Sequence, residues 1–564
     1  MEPVTERPDP SARWRLLSLV LLVVAIGLLL LLLRRRPEPA APLHTPPPTD
    51  VRNTVLEKYH APDETEKSIR AGLVWLTEHQ DAAGTWGAQA KPCPASDECG
   101  GIVAKKEYVD GLTGLAVIAY LVRGEFTPSN DPERKAWDER FHAATTKGID
   151  ALAARQAEDG SWSEGHMYST AIGLLALVEA SARASRKDLG PRIEKAIDFV
   201  ARSQSKGGGW DYYGCGSKKG NTDRSDTSIV AWTCMALATA DEVGYPVPEA
   251  AFAGIVRHLH AVTDPKTQFV GYVSRGSDQS FTCLAIGLLS RLFLGYDPRA
   301  GPLRRQAKAV LAGAVRSDTY FWYHGSMGMF QVTDLFPIWS RTVQQTLVGQ
   351  QARAGHAAGS WAPSSGIDSK GGRVLATELG LLSLEVYFRH AILDEVPAAK
   401  FAGPRAVVRA LPTVEDAKVR AALLEELGLM RSDDAVLACL SEHAERDPDG
   451  AAKAAAKSSL EAIRARAAGP VVVEEQEFKV DSRHEWTAAP FDLVPGETFE
   501  LTVEGDPGVP LVARLGPAQV PFAVAGTYQG TADRFGRLFL GPGDGAATPK
   551  RGEWRVKATV RFAR

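Results

Sequence analysis

A glutamine, a glycine four residues later and a tryptophan two residues beyond it recur three times in this chain. The copies are Gln80–Gly84–Trp86 (HQDAAGTW), Gln156–Gly160–Trp162 (RQAEDGSW) and Gln204–Gly208–Trp210 (SQSKGGGW). A stretched fourth copy runs from Gln351 to Gly359 and Trp361 (QQARAGHAAGSW). Identical spacing at separate sites marks an internal repeat, which confines the fold to packed copies of one unit. Each copy ends one helical pattern and precedes another, so it reads as the junction inside a helical hairpin. A Gln amide bonds backbone groups exposed at a helix end, Gly permits the turn, and Trp seals the junction with a large buried face.

Between residues 64 and 392 two kinds of helical segment alternate. One kind is amphipathic and charged: TEKSIRAGLVWLTEHQ, FHAATTKGIDALAARQ, LGPRIEKAIDFVARSQ, EAAFAGIVRHLHAV, PLRRQAKAVLAGAV and FPIWSRTVQQTLVGQ. The other is apolar nearly all round and rich in small residues: YVDGLTGLAVIAYLV, HMYSTAIGLLALVEA, SDTSIVAWTCMALATA, SDQSFTCLAIGLLSRL, YHGSMGMFQV and GGRVLATELGLLSLEVYF. A helix apolar on one stripe lies at a surface, and one apolar all round is buried. Six inner helices surrounded by six outer ones make an α/α barrel.

These repeats, with small-residue inner helices after them, resemble the α/α toroid of squalene cyclases and protein prenyltransferases. Segments such as GGGWDYYG, SDTSIVAWTCMALATA and YFWYHGSMGMF are most similar to the bacterial prenyltransferase and squalene oxidase repeat proteins. The family's best-known reaction is cyclisation of a polyprene, started by an Asp-x-Asp-Asp-Thr stretch whose central Asp protonates an alkene. The matching stretch here is Asp223-Arg224-Ser225-Asp226-Thr227. Ser225 stands where the resemblance puts the acid, and a serine hydroxyl is far too weak for that transfer. Arg224 adds positive charge where a carbocation must form, and an Asp paired with it is expected to stay ionised. Protein prenylation uses zinc held by Asp-x-Cys and a distant His. The Asp-x-Cys of this chain, Asp97-Glu98-Cys99, falls in a polar loop and not on an inner helix. Complement-type proteins place Gly-Cys-Gly-Glu-Gln on a similar toroid to form a thioester. Here Gly214-Cys215-Gly216 is followed by Ser217 and Lys218, so the acyl donor is missing. No catalytic residue, metal or cofactor is therefore expected.

From 403 to 467 the composition shifts to Ala, Glu and Arg, which predicts two or three short antiparallel helices, either HEAT-like repeats or a plain helical spacer. From 470 the period switches to two. VVVEEQEFKV, TFELTVEG, PLVARLG, GRLFLGPG and WRVKATVRF are short strands bounded by Gly, Pro and Asp, which predicts a β-sandwich. This end also resembles the jelly-roll domain of bacterial galactose-binding lectins. Of that family's calcium set Asp544 matches, while Gly543 replaces an Asn and Lys550 and Arg551 stand where further Asn residues belong. Calcium wants several oxygen ligands, and two cations oppose it.

Residues 16–33 carry no charge. As a helix rising about 1.5 Å per residue the run spans roughly 27 Å, one bilayer core. Arg34, Arg35 and Arg36 directly after it make a poor cleavage context, which favours an uncleaved anchor over a signal peptide. Arginines flank both sides equally, so charge does not set the orientation. A Pro-rich linker over 34–62 follows the 1–15 tail and the span, and the body is expected on the extracytoplasmic side. A net charge of −3 gives no reason to expect nucleic acid. Among the cysteines Cys93 and Cys99 share one loop and are the candidate disulfide, while Cys234 and Cys283 lie in apolar helical stretches.

The sequence thus predicts a mainly α chain: an (α/α)6 toroid over 64–392, a short HEAT-like segment over 403–467, a β-sandwich over 470–564 and an N-terminal transmembrane helix. Asp110, His166 with Tyr168, Asp226, Asp278, His324 and Arg373 each fall near the start of an inner helix. In an α/α barrel these starts share one end, so the seven residues are the candidate ligand-binding set. For the aspartates helix capping is the competing role, and for the histidines a buried hydrogen-bonded ring. Function is expected to be a membrane-anchored, non-catalytic binding or scaffold protein with a lipid, protein or glycan ligand. The alternatives are a lipid-binding or lipid-modifying enzyme using an isoprenoid-sized cavity, and glycan binding by the sandwich. A filled barrel favours the scaffold; a deep apolar pocket favours the enzyme.

Overall fold

The computed structural model describes residues 63–87, 99, 104–122, 132–219, 223–363, 368–389 and 400–562, apart from 482, 485, 506–509, 517–520 and 543–552. The apolar run 16–33, the Pro-rich linker, Cys93, Asp97 and the sugar-site positions 543, 544, 550 and 551 lie outside them. No described helix is long and apolar enough to cross a membrane.

Among the described residues twelve helices alternate between an outer and an inner layer. The outer ones are α1 (Asp63–Glu78), α3 (Pro132–Arg155), α5 (Gly190–Arg202), α7 (Glu249–Val262), α9 (Gly301–Ala312) and α11 (Phe336–Gln350). The inner ones are α2 (Val109–Val122), α4 (Met167–Arg183), α6 (Thr227–Val243), α8 (Phe281–Leu294), α10 (Thr319–Phe330) and α12 (Asp368–Leu384). Each inner helix packs on the next, and α12 packs on α2, so the ring closes. Every residue of α2 and of α10 is buried, as expected for helices apolar on all sides.

The repeat makes the same bonds at each copy. Each Gln directs one amide hydrogen to the carbonyl of its own Gly: Gln80 to Gly84, Gln156 to Gly160, Gln204 to Gly208 and Gln351 to Gly359, at 3.1, 3.0, 2.8 and 2.8 Å. The second hydrogen crosses to a carbonyl of the next outer helix, at Ala144, Arg192 and Ala251. For Gln351 the next outer helix is α1, and its partner is the Ser68 carbonyl at 2.8 Å. The Gln side chain has two amide hydrogens: one closes its own turn and the other joins that turn to the next hairpin. The glycines sit at φ of +87, +93, +90 and +91°, where a side chain is strained. Each Trp indole donates to the outer helix before it: Trp86 to Leu76, Trp162 to Leu152, Trp210 to Val200 and Trp361 to Leu347, all within 2.9 Å.

After α13 (Val386–Arg389) come α14 (Ala402–Ala410), α15 (Ala417–Leu429), α16 (Asp434–Arg446) and α17 (Gly450–Ala468). This is four helices where the composition predicted two or three. They are not a free spacer: α14 and α15 pack on α7, and Leu423, Leu424, Leu427 and Met430 belong to the same continuous core as the toroid. Ion pairs Arg405–Asp241 and Arg409–Glu249, at 2.8 and 2.6 Å, run along the joint.

The described residues of the C-terminal region form eight strands: β1 (Val471–Asp481), β2 (Thr487–Leu493), β3 (Thr498–Glu504), β4 (Leu511–Leu515), β5 (Phe522–Val524), β6 (Thr527–Thr531), β7 (Gly536–Gly541) and β8 (Glu553–Phe562). Two antiparallel sheets have the orders β1-β8-β3-β6 and β2-β7-β4-β5, a double-sheet jelly-roll arrangement. Their inner faces share a separate core around Phe491, Leu501, Leu538, Leu540 and Val556. The sandwich docks on α9. Lys308 reaches the buried Glu497 at 2.9 Å, and Arg305 donates to the Val473 carbonyl at 2.8 Å.

Candidate functional site

The inner helices present their N-termini at one end of the barrel, and the predicted ligand set divides there into separate groups. Asp226 caps α6 through the Ser228 amide at 2.9 Å and receives the Ser228 hydroxyl at 2.5 Å. Ser228 Oγ in turn lies 2.5 Å from the Tyr168 hydroxyl. Arg224 approaches the other Asp226 oxygen at 3.2 Å and lies over the rings of Tyr212 and Tyr272. Those two hydroxyls are 2.9 Å apart. Asp226 and Tyr168 are therefore joined in one buried network.

The charge balance at Asp226 differs from the sequence expectation. Arg224 does pair with it, yet burial outweighs the help from Ser228, Tyr272 and Arg224, and the carboxyl is pushed above the usual carboxylate range. Desolvation of a charge at zero exposure is the larger effect. Tyr168 is pushed well up by the same cause.

His166 precedes α4 and is enclosed by Tyr108, Tyr168 and Tyr213, at 4.9, 5.8 and 5.4 Å between ring centroids. Burial lowers its pKa to about 4, so the ring is neutral at pH 7. His324 does not sit at a helix start: Asp318 caps α10, and His324 lies further along it with Nδ1 2.8 Å from the Tyr320 carbonyl. It too is held at about 4 by burial. Asp278 is exposed and does not cap α8, a role taken by Ser280 through the Cys283 amide at 3.0 Å. Arg373 follows a break at Gly372 in α12; its side chain is turned to the Cys99 carbonyl and to Ser360 Oγ. Asp110 belongs to another group, accepting from Arg155 at 2.5 Å and from Ser163 at 2.6 Å.

Ser225, the middle residue of the Asp223–Thr227 stretch, is half-buried beside the third repeat junction. Its hydroxyl bonds Ser205 Oγ at 2.6 Å and the Gly209 amide at 3.3 Å, so it braces the third repeat junction. Tyr212, Tyr272, Ser228 and Tyr320 were not among the predicted site residues. The DYYG run after Trp210 was the available signal for Tyr212; Tyr272 carried none.

Two spaces open at this end. The inner one, lined by Tyr108, Leu112, Tyr168, Trp232, Tyr320 and Leu375 among others, has a volume of about 40 Å³. That is room for a few waters, far below the roughly 300–1,000 Å³ of a ligand pocket. Among the described residues no carboxylate lines it. Trp232 stacks on Tyr323 at 5.1 Å, and the buried Arg389 donates to the Tyr323 hydroxyl and to Glu179, each at 2.8 Å. The second space is a rim groove of about 310 Å³ lined by Lys106, Glu107, Asp110, Arg155, Ser163, Glu164 and Lys219. Its charges suit a polar partner and not a polyprene.

Residues 134–261 match the squalene-hopene cyclase C-terminal domain. No curated protein matches this chain. Similar solved structures include a type II terpene cyclase, MstE, from Scytonema, at 13% identity and a TM-score of 0.39 over 57% of this chain and 98% of that one. An α-amylase from Clostridium perfringens stands at 11% identity and a TM-score of 0.39, over 57% and 97%. At such scores these likenesses assign no activity. The domain match and the closed ring of paired helices agree on a cyclase/prenyltransferase-like toroid for the helical body.

Proposed function

We propose that this chain is a membrane-tethered, non-catalytic scaffold built on a cyclase-type toroid. One observation carries the reading: the inner space at the helix starts measures about 40 Å³, and no acid among the described residues lines it. Ser225, spent on the repeat junction, supports it. A scaffold of this kind binds through its rim and outer faces, and the charged groove at Asp110 and Arg155 fits a polar partner. The tether rests on the uncharged run 16–33 and the linker after it.

The test joins both parts. The full chain is expected to stay with membranes through a carbonate wash. After extraction in detergent it is expected to convert no squalene or related polyprene to cyclic product by mass analysis of the lipids. Release by the wash removes the tether. Turnover that disappears in Asp226→Asn establishes the enzyme reading instead, with the raised Asp226 as its acid.

A further inference from the structure

Where the ring closes, three side chains converge that the mouth does not use. His79 ends the first outer segment, immediately before Gln80; His356 lies inside the stretched fourth copy, between Gln351 and Gly359; Cys99 is on the connection from α1 to α2. Cys99 Sγ is 2.9 Å from His356 Nδ1 and 3.5 Å from His79 Nε2. All three donor atoms lie within 4.8 Å of one another. A tetrahedral zinc with Zn–S of about 2.3 Å and Zn–N of about 2.0–2.1 Å spaces neighbouring donors by roughly 3.3–3.6 Å. The cluster is on that scale.

The surroundings orient the donors as a metal needs. His79 Nδ1 is 2.7 Å from the Trp75 carbonyl, so that nitrogen carries the proton and donates it. Nε2 is then the lone-pair nitrogen, and it faces Cys99. The Trp75 ring stacks on His79 at 3.9 Å and 20°, which holds the ring plane. Arg373 binds the Cys99 carbonyl and Ser360, which fixes the thiol's backbone. A backbone carbonyl behind the distal ring nitrogen is the usual support of a metal-bound imidazole. Cys99 is fully buried and His79 is 3% exposed.

We propose that His79, Cys99 and His356 bind a zinc-class divalent cation that staples the first hairpin of the toroid to the last. One thiolate with two imidazoles selects zinc-like ions over magnesium or calcium, which prefer oxygen. On binding, the Cys99 S–H bond is exchanged for an S–metal bond and the proton leaves to solvent. The site takes Cys99 from the Asp-x-Cys stretch weighed in the sequence but differs from the prenyltransferase set in its other donors: His79 and His356 complete it, no carboxylate is among the three, and none of them is on an inner helix. Its donors are 20 and 257 residues apart, so the ion joins segments that otherwise meet through Gln351 and Ser68.

The test uses the full chain, purified without chelator and dialysed against zinc, then against cobalt. About one ion per chain is expected by elemental analysis, with a thiolate-to-cobalt charge-transfer band in the near ultraviolet. Cys99→Ser is expected to abolish that band. His356→Gln, at a partly exposed position and so the safer variant for folding, is expected to lower zinc content at least about tenfold. Cys215→Ser is expected to leave both unchanged. Chelation is expected to lower the melting temperature, with recovery on adding zinc but not magnesium. A wild-type chain that holds less than about a tenth of an ion after dialysis, or zinc retained in both Cys99→Ser and His356→Gln, overturns the proposal and leaves a hydrogen-bonded His–Cys cluster.

Discussion

Acidification from pH 6.5 towards 4 is expected to unfold the toroid. His166, His258 and His324 are all buried, and burial lowers each from the ordinary 6.5 to about 4. In the unfolded chain these rings take a proton near 6.5, whereas in the folded chain they resist it until about 4. Across that window the unfolded state binds more protons, so stability falls as pH falls. The gap is worth about 3 kcal/mol for each histidine. Three of them amount to roughly 10 kcal/mol, comparable with the whole stability of an ordinary domain. Asp226, Asp241 and the fully buried Glu378 of α12, whose carboxyls burial pushes up, oppose the trend, since protonating them relieves a buried charge. Glu426 and Asp447, held down by His260 and Arg420 among others, add to the loss only at lower pH. Far-ultraviolet circular dichroism against pH is the check. A midpoint between pH 4 and 5 is expected, and helicity unchanged at pH 4 would falsify this account of the buried histidines.

Replacing Trp162 by alanine is expected to destabilise the chain by about 3–5 kcal/mol, the range for emptying a buried tryptophan site. The indole is fully buried and lies against Gly173 of α4, where a Cβ would come within 3.2 Å of the ring. The substitution also strands the Leu152 carbonyl, which accepts the indole N–H at 2.9 Å. Urea unfolding of the two proteins measures the difference. A loss under about 1 kcal/mol, the level of a surface change, would show that the repeat tryptophans do not hold the hairpins together.

The toroid was legible because its determinants are local. Gln80 and Gly84, Gln156 and Gly160, and Gln204 and Gly208 bond across four residues, so the spacing in sequence is the spacing in space. The alternation of charged and all-apolar helices was legible for the same reason. The flanking helices were less so. α14 is nine residues long with Pro404 inside its first turns, and α16 is marked mainly by the Asp433 cap on Val436. Without the packing surfaces of α7 for α14 and of α17 for α16, neither pattern stands out from a polar connection.

The site was legible only in part. Asp226 carried the family's motif and does cap an inner helix. Asp278 and His324 misled because capping is decided by one backbone position: Ser280 and Asp318 hold it, and residues two before or six after have other surroundings. The sign of the shift at Asp226 needed burial, which a neighbouring arginine in the sequence does not reveal. Of the His79–Cys99–His356 cluster only Cys99 stood out in the sequence, through its Asp-x-Cys stretch; ring closure brings the two histidines to it from 20 and 257 residues away.

The claim that the toroid is filled is tested most directly by its lipid occupancy. The full chain, purified in detergent with squalene or geranylgeraniol present, is examined by native mass spectrometry. A filled barrel predicts the mass of the bare protein, with or without the metal, and no retained polyprene. About one polyprene per chain, retained through gentle detergent exchange and lost when Ile172→Trp fills the space beside Tyr168 and Trp232, would contradict it.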